Sequence, residues 1–336
     1  MTHLRRGWLW YTGAVLIVLI TLVFGTLGGL AIQFQAWPVP LWIAIWSVAI
    51  LAILVTIFLR GLIAGIVGLL VVFVSFTLWW VTITPTNDRD WQADVAQLPS
   101  GTRDPSDPSL ITISNVRNFD WITETEFLPR WDTRTYDLDA LESVDLVLTY
   151  WAGPAIAHTM LSFGFSDGEH LVFSIGIRPS KGETYSSLAG FFKTYELVVT
   201  AADERDVIRL RTSVQDGNRV QLYRIKMPDR MMRGLFEEYV DLSNQLVQEP
   251  RFYRTVVANC TTMIWGLVKR LDPSLPSDYR ILLPGYLPGL LYDLKTLDLR
   301  FTLTELEAIG ELSWEAPSTQ DGPAYSAALR FGIPAL

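Results

Sequence analysis

Cysteine is all but missing. Cys260 is the one thiol in 336 residues, so no intramolecular disulfide can form and the thiol needs another explanation. Histidine is nearly as scarce, with only His3, His158 and His170. A single thiol and a few scattered histidines give no cluster at metal-ligand spacing, so neither a metal nor a cofactor is expected. No glycine-rich phosphate loop follows a strand, and no nucleophile-elbow pattern presents a serine. Acidic residues are absent from 1–84, where Arg5, Arg6 and Arg60 are the only charged side chains. That stretch carries +3 and the whole chain −8, which leaves −11 on residues 85–336. An outer part of that sign argues against a nucleic-acid partner held through its phosphates.

What the first quarter does contain is long apolar runs. Trp8 to Ile32, Leu41 to Leu59 and Leu62 to Ile83 each hold about 19 or more predominantly apolar residues, enough to cross a bilayer. The first is too long for a signal-peptide core and is followed by two more. Arg5 and Arg6 precede the first run and Arg60 separates the second from the third. The positive-inside rule then predicts a cytoplasmic N-terminus and places everything after Ile83 on the far side of an inner membrane. Trp8, Trp10, Trp37, Trp42, Trp79 and Trp80 fall near the ends of the runs, as interfacial anchors do. No run contains an internal ionisable residue, so an anchor is expected rather than an ion pathway.

Residues 1–84 are therefore expected to form a three-helix anchor. Residues 85–110, rich in proline and aspartate, read as a linker, with order beginning near Ile111. The folded domain is expected over 111–300 and a C-terminal extension over 301–336. Trp121, Phe127 and Trp131 are expected to pack inward. Strands are predicted over Val144 to Tyr150, Ile156 to Phe165, Leu171 to Ile177, Tyr195 to Thr200, Val207 to Thr212 and Arg219 to Ile225, with Asp167-Gly168 and Asp216-Gly217 as turns. Met231 to Leu246 reads as a helix through Leu235, Tyr239, Leu242 and Leu246. Helical spacing recurs after Cys260 at Met263, Ile264, Leu267, Val268 and Leu271, behind the turn-prone Asn259. An antiparallel sheet followed by helices is an α+β domain, large enough for a core without disulfides.

Cys260 thus falls at or just before the first turn of a helix. Free N–H groups and a partial positive charge there favour a thiolate and can hold an oxyanion. The competing reading is a small buried hydrophobe, the usual fate of a free cysteine. A nucleophilic thiol needs a base, and His158 on the second strand is the candidate, with His170, Ser174 or Asn259 to orient its ring. The Asp203 to Arg211 run is unusually charged for a strand. Either it is a solvated face laced with ion pairs, or Arg178, Arg209 or Arg211 holds a lipid phosphate or a carboxylate near the thiol.

Four segments carry a resemblance: Ile156-Ala157-His158-Thr159-Met160-Leu161-Ser162-Phe163-Gly164-Phe165, Gly190-Phe191-Phe192-Lys193-Thr194-Tyr195-Glu196, Asp203-Glu204-Arg205-Asp206-Val207-Ile208-Arg209-Leu210-Arg211-Thr212 and Asn259-Cys260-Thr261-Thr262. Over about residues 111–295 the chain resembles the Lnb N-terminal periplasmic domain family, similar to a circularly permuted NlpC-type, papain-like fold. The resemblance implies a cysteine acyltransferase acting on phospholipid or lipoprotein acyl groups, with Cys260 as nucleophile and His158 as base. Its partners would be membrane lipids and lipoproteins. The family's strand often reads Ser-x-Glu-x-Arg where this chain has Ser174-Ile175-Gly176-Ile177-Arg178, so glycine stands in the acidic place. His170, at the two-histidine spacing of the lecithin:retinol acyltransferase group, is the expected substitute. The same residues would also serve a cell-wall amidase or peptidase. The missing acid favours a third possibility, a membrane-tethered binding module without catalysis.

Overall fold

A computed structural model describes residues 7–215, 217–312 and 322–334. It divides into two compact units, Met1–Pro85 with Ser186–Thr194, and Thr86–Tyr185 with Tyr195–Leu336.

The first unit is built on α1 (Trp8–Gln35), α2 (Val39–Arg60) and α3 (Leu62–Thr82), each long and apolar enough to span a membrane. Their large apolar side chains mostly face outward, as lipid solvation requires. Small residues let the helices approach: the Trp46 ring lies where a Cβ on Gly28 would stand, and its indole N–H donates to Gly25 O at 2.8 Å. Residues 186–194 pack onto this unit rather than onto the sheet they connect.

The second unit contains the short strands β1 (Ser100–Arg103), β2 (Leu110–Arg117), β3 (Asp120–Trp121), β4 (Phe127–Leu128) and β5 (Trp131–Asp137). Strands β6 (Leu141–Ala152), β7 (Ile156–Phe165), β8 (His170–Arg178), β9 (Glu196–Asp203) and β10 (Arg219–Ile225) follow. Its helices are α4 (Glu204–Arg209), α5 (Asp229–Gln248), α6 (Cys260–Leu271), α7 (Leu287–Asp293), α8 (Leu303–Ile309) and α9 (Gly322–Leu329). The main sheet runs β1-β2-β9-β8-β7-β6-β10, with β5 also paired to β2. It is antiparallel except where β2 meets β9 at Arg117 and Ala202. This is the α+β arrangement expected.

Alternation along the strands gives the sheet two faces, and both are covered. Leu161, Phe163, Phe173, Ile175 and Val199 join Leu235, Phe236 and Tyr239 of α5 and Ile264 and Leu267 of α6 in the main core. Val147, Met160, Val172 and Ala202, on the other face, join Val207 and Ile208 of α4 and Tyr325 and Leu329 of α9. A sheet buried on both sides explains why β6 to β9 read as nearly continuous apolar runs.

Three expectations need correction. Val207 to Thr212 is not a strand: β9 ends at Asp203, and the chain turns into α4 and then one π-helical turn over Leu210–Val214. Helical spacing is what lets Glu204, Val207 and Ile208 share a buried face while Asp206 reaches Arg117. Residues 85–110 are not a free linker. Trp91 and Val95 are buried, Trp91 bridges to Ser180, and Ser100–Arg103 pairs with β2. The stretch after residue 300 is likewise no mere extension, since Leu306 joins the main core and Tyr325 and Leu329 the second. Around Phe119 the aromatic segment packs as expected, with Trp121 buried and Phe127 and Trp131 against it. The Asp216-Gly217 turn rests partly on Asp216, which lies outside the described residues.

Candidate functional site

The helix that begins at Cys260 is fixed by its cap. Asn259 Oδ1 accepts from Thr262 N at 2.9 Å, and Asn259 N donates to Thr262 Oγ1 at 3.0 Å, a reciprocal capping box. Asn259 Nδ2 donates to Thr255 O at 2.8 Å, so the amide is fully engaged in holding the turn. Asn259 is therefore a cap and lies outside the cavity lining. Among the described residues, the first-turn N–H groups of Cys260 and Thr261 have no protein acceptor, as the start of a helix dictates. Thr261 Oγ1 shares a hydrogen bond with Thr159 Oγ1 at 2.7 Å, which ties α6 to β7.

His158 precedes Thr159 on β7. β7 and β8 stay paired from Gly164 and His170 only as far as Met160 and Ser174. Beyond that point the two strands part, and a cavity of about 510 Å³ opens between and above them. Cys260, His158, Ser174, Gly176, Thr149, Arg211, Tyr185 and Tyr253 all contribute to its walls. The cavity thus brings together the thiol and the imidazole. It does not join them: Cys260 Sγ contacts Thr261 Oγ1 at 3.7 Å, while His158 Nε2 bonds to Ser174 Oγ at 2.7 Å. Strand alternation explains the gap. His158 shares the face of Met160 and Ser162, whereas Thr159 faces α6.

The histidine is neutral. Burial first, and then the Arg211 guanidinium, press its pKa down to about 3. Arg211 itself is lowered to about 10, by burial and then by Arg117, and remains a cation at neutral pH. Thr149 Oγ1, cross-strand from His158, is buried and has no hydrogen-bond partner among the described residues.

Of the groups named to orient the ring, only Ser174 reaches it. His170 pairs with Gly164, six residues along β7 from His158, or roughly 20 Å at the rise of a strand. Its Nδ1 lies 3.0 Å from Gly168 O, and its ring packs where a Cβ on Gly164 would sit. It is a structural residue of the hairpin. Gly176 does face the site: a Cβ there would come 4.0 Å from His158 Cε1, so the missing acid leaves open space beside the ring.

The three arginines separate as well. Arg178 donates to Val95 O, Ala96 O and Asn87 Oδ1 and stacks on Trp91, which uses its fork to bind residues 87–96 to β8. Arg209 lies beside Trp121 and Glu124 in a different depression. Only Arg211 of the three lines the thiol cavity. Tyr253 went unnoticed in the sequence because nothing local marks it. It arrives through an irregular pairing in which Tyr253 N donates to Tyr195 O and Leu197 N to Arg251 O.

Comparison with known proteins bears on this site. Residues 127–285 match the family model of the Lnb N-terminal periplasmic domain, which spans both His158 and Cys260. This stretch is similar to a domain of that family, and three helices long and apolar enough to anchor it in a membrane precede it. No curated protein and no solved structure gives a match.

Proposed function

We propose that the protein is a cysteine acyltransferase of the bacterial envelope, held in the inner membrane with its N-terminus cytoplasmic and its domain periplasmic. The observation that carries this reading is one cavity walled by both Cys260, at a capped helix start, and His158. Cys260 Sγ attacks the carbonyl carbon of a phospholipid or lipoprotein ester, and His158 takes the thiol proton. The free N–H groups of Cys260 and Thr261 hold the oxyanion. The ester C–O bond breaks, the leaving alkoxide takes the proton from His158, and a thioester remains on Cys260. An amine then attacks the thioester, its proton passes to His158, and the C–S bond breaks to release an amide. Arg211 is suited to a phosphate or carboxylate of the donor.

For this chemistry His158 must leave Ser174 and come round from the opposite face of β7 to the sulfur, a larger rearrangement than the tightening of a loose catalytic hydrogen bond on substrate binding. The empty place at Gly176 favours the third possibility, a membrane-tethered binding module without catalysis. Incubation of the full chain in vesicles with acyl-labelled phospholipid decides between them. A hydroxylamine-sensitive label on Cys260, lost in Cys260→Ser and passed to an added amine, supports transfer. Cleavage of muropeptides without acyl label points to the wall hydrolase. Binding without either, unchanged in Cys260→Ser, points to the module.

A further inference from the structure

The segment Ser186-Ser187-Leu188-Ala189-Gly190-Phe191-Phe192-Lys193-Thr194 leaves the sheet between β8 and β9 and becomes part of the helical unit. It is fastened to the C-terminal ends of α1 and α3. Gln35 Nε2, at the end of α1, donates to Phe192 O at 2.8 Å, and the Phe192 ring stacks on Phe34 with centroids 5.6 Å apart. Lys193 Nζ donates to Trp80 O at 2.8 Å and Ile83 O at 3.0 Å, and lies 4.8 Å from the centroid of the Trp80 ring. Those carbonyls are the ones a helix end leaves unsatisfied, and a cation there also suits the helix dipole.

With the segment held this way, Ala189 and Gly190 are buried while Leu188 and Phe191 stay 48% and 54% exposed. The segment contains no acid, and its one lysine is directed back at the helix ends. Two large, exposed apolar side chains are thus carried by a segment fastened at the ends of helices whose own apolar side chains are exposed. The tryptophans near these ends mark the depth at which headgroups meet acyl chains.

We propose that residues 186–194 are an interfacial membrane element, with Leu188 and Phe191 inserted among bilayer lipids at the level where the spans end. The occupant of this surface is lipid, not a second protein. This inference rests on the anchor and is independent of the acyl-transfer reading.

The test uses the full chain as Cys260→Ala, reconstituted in vesicles of phosphatidylethanolamine and phosphatidylglycerol, with a nitroxide attached through Leu188→Cys or Phe191→Cys. Leu70→Cys, at an exposed position within α3, supplies the lipid reference. Collision with oxygen exceeding collision with a water-soluble nickel chelate several-fold, at either position, is the expected result. An excess of chelate collisions at both positions overturns the proposal. So does protection from both reagents at both positions, which would mean that another protein chain covers the segment.

Discussion

At the scale of single residues, the cavity sets the charge state of His158. Its folded pKa lies below that of a free histidine, so between about pH 6.5 and 3 the unfolded chain holds a proton that the folded one refuses. Stability from this group is complete above pH 6.5 and is lost as pH falls through that window. Acid titration of stability should therefore have a slope that flattens by about 1.4 kcal/mol per pH unit between pH 6 and 5 in His158→Gln. Chemical denaturation at a series of pH values measures it, and equal slopes in both proteins would refute the assignment. Gly176→Glu would put a carboxylate into the space beside the ring. It should raise the His158 pKa, read from the imidazole proton shifts by NMR, because an anion favours the imidazolium. Cys260 and His158 could be named from the sequence because thiols and imidazoles are rare in this chain. Ser174 could be listed but not chosen, since the choice depends on where β7 and β8 part. Arg178 could not be dismissed, because its carbonyl acceptors belong to a segment that read as linker.

At the scale of elements, α6 is held by a cap and by one threonine pair. Asn259→Ala removes the acceptor for Thr262 N and the donor to Thr255 O, and should cost about 0.5–2 kcal/mol of stability. Thermal unfolding followed by circular dichroism measures the loss. On the proposed chemistry the same change should slow acylation of Cys260 at pH 7, because a frayed first turn no longer presents the Cys260 and Thr261 N–H groups to the oxyanion. Capping residue and apolar spacing are both local, and that is why this helix and the strand from Ile156 to Phe165 were legible residue by residue. The charged run after Asp203 was not. Its acids are neutralised from distant elements, by Arg330, Arg117 and Arg134, and without those partners its alternation imitates a strand.

At the scale of the whole molecule, the second face of the sheet is closed by the chain's last described helix. Arg330 places its guanidinium between Asp145 of β6 and Glu204 of α4, both carboxylates fully buried. Glu204 also accepts from Ser162, and its pKa falls to about 2 because the Arg330 cation outweighs the cost of burial. Arg330→Met should destabilise the domain by about 3–5 kcal/mol at pH 7, since it strands buried charge. The wild-type advantage should be complete above about pH 4.5 and shrink as pH drops toward 2, where Glu204 takes up a proton in the folded state too. Urea unfolding at pH 7 and pH 3 tests both halves of the statement. The anchor and the α+β class were visible in composition and period. This clasp was not, because nothing local connects residues 145, 204 and 330.

That clasp sets an order of events. One strand and one helix made early in synthesis each hold a buried anion; Arg224 meets the first, but the second waits for a side chain 126 positions further on. Until the tail emerges the sheet has one finished side and one side that repels its own closure, and a chain cut short before Arg330 keeps that open side for quality-control proteases to find.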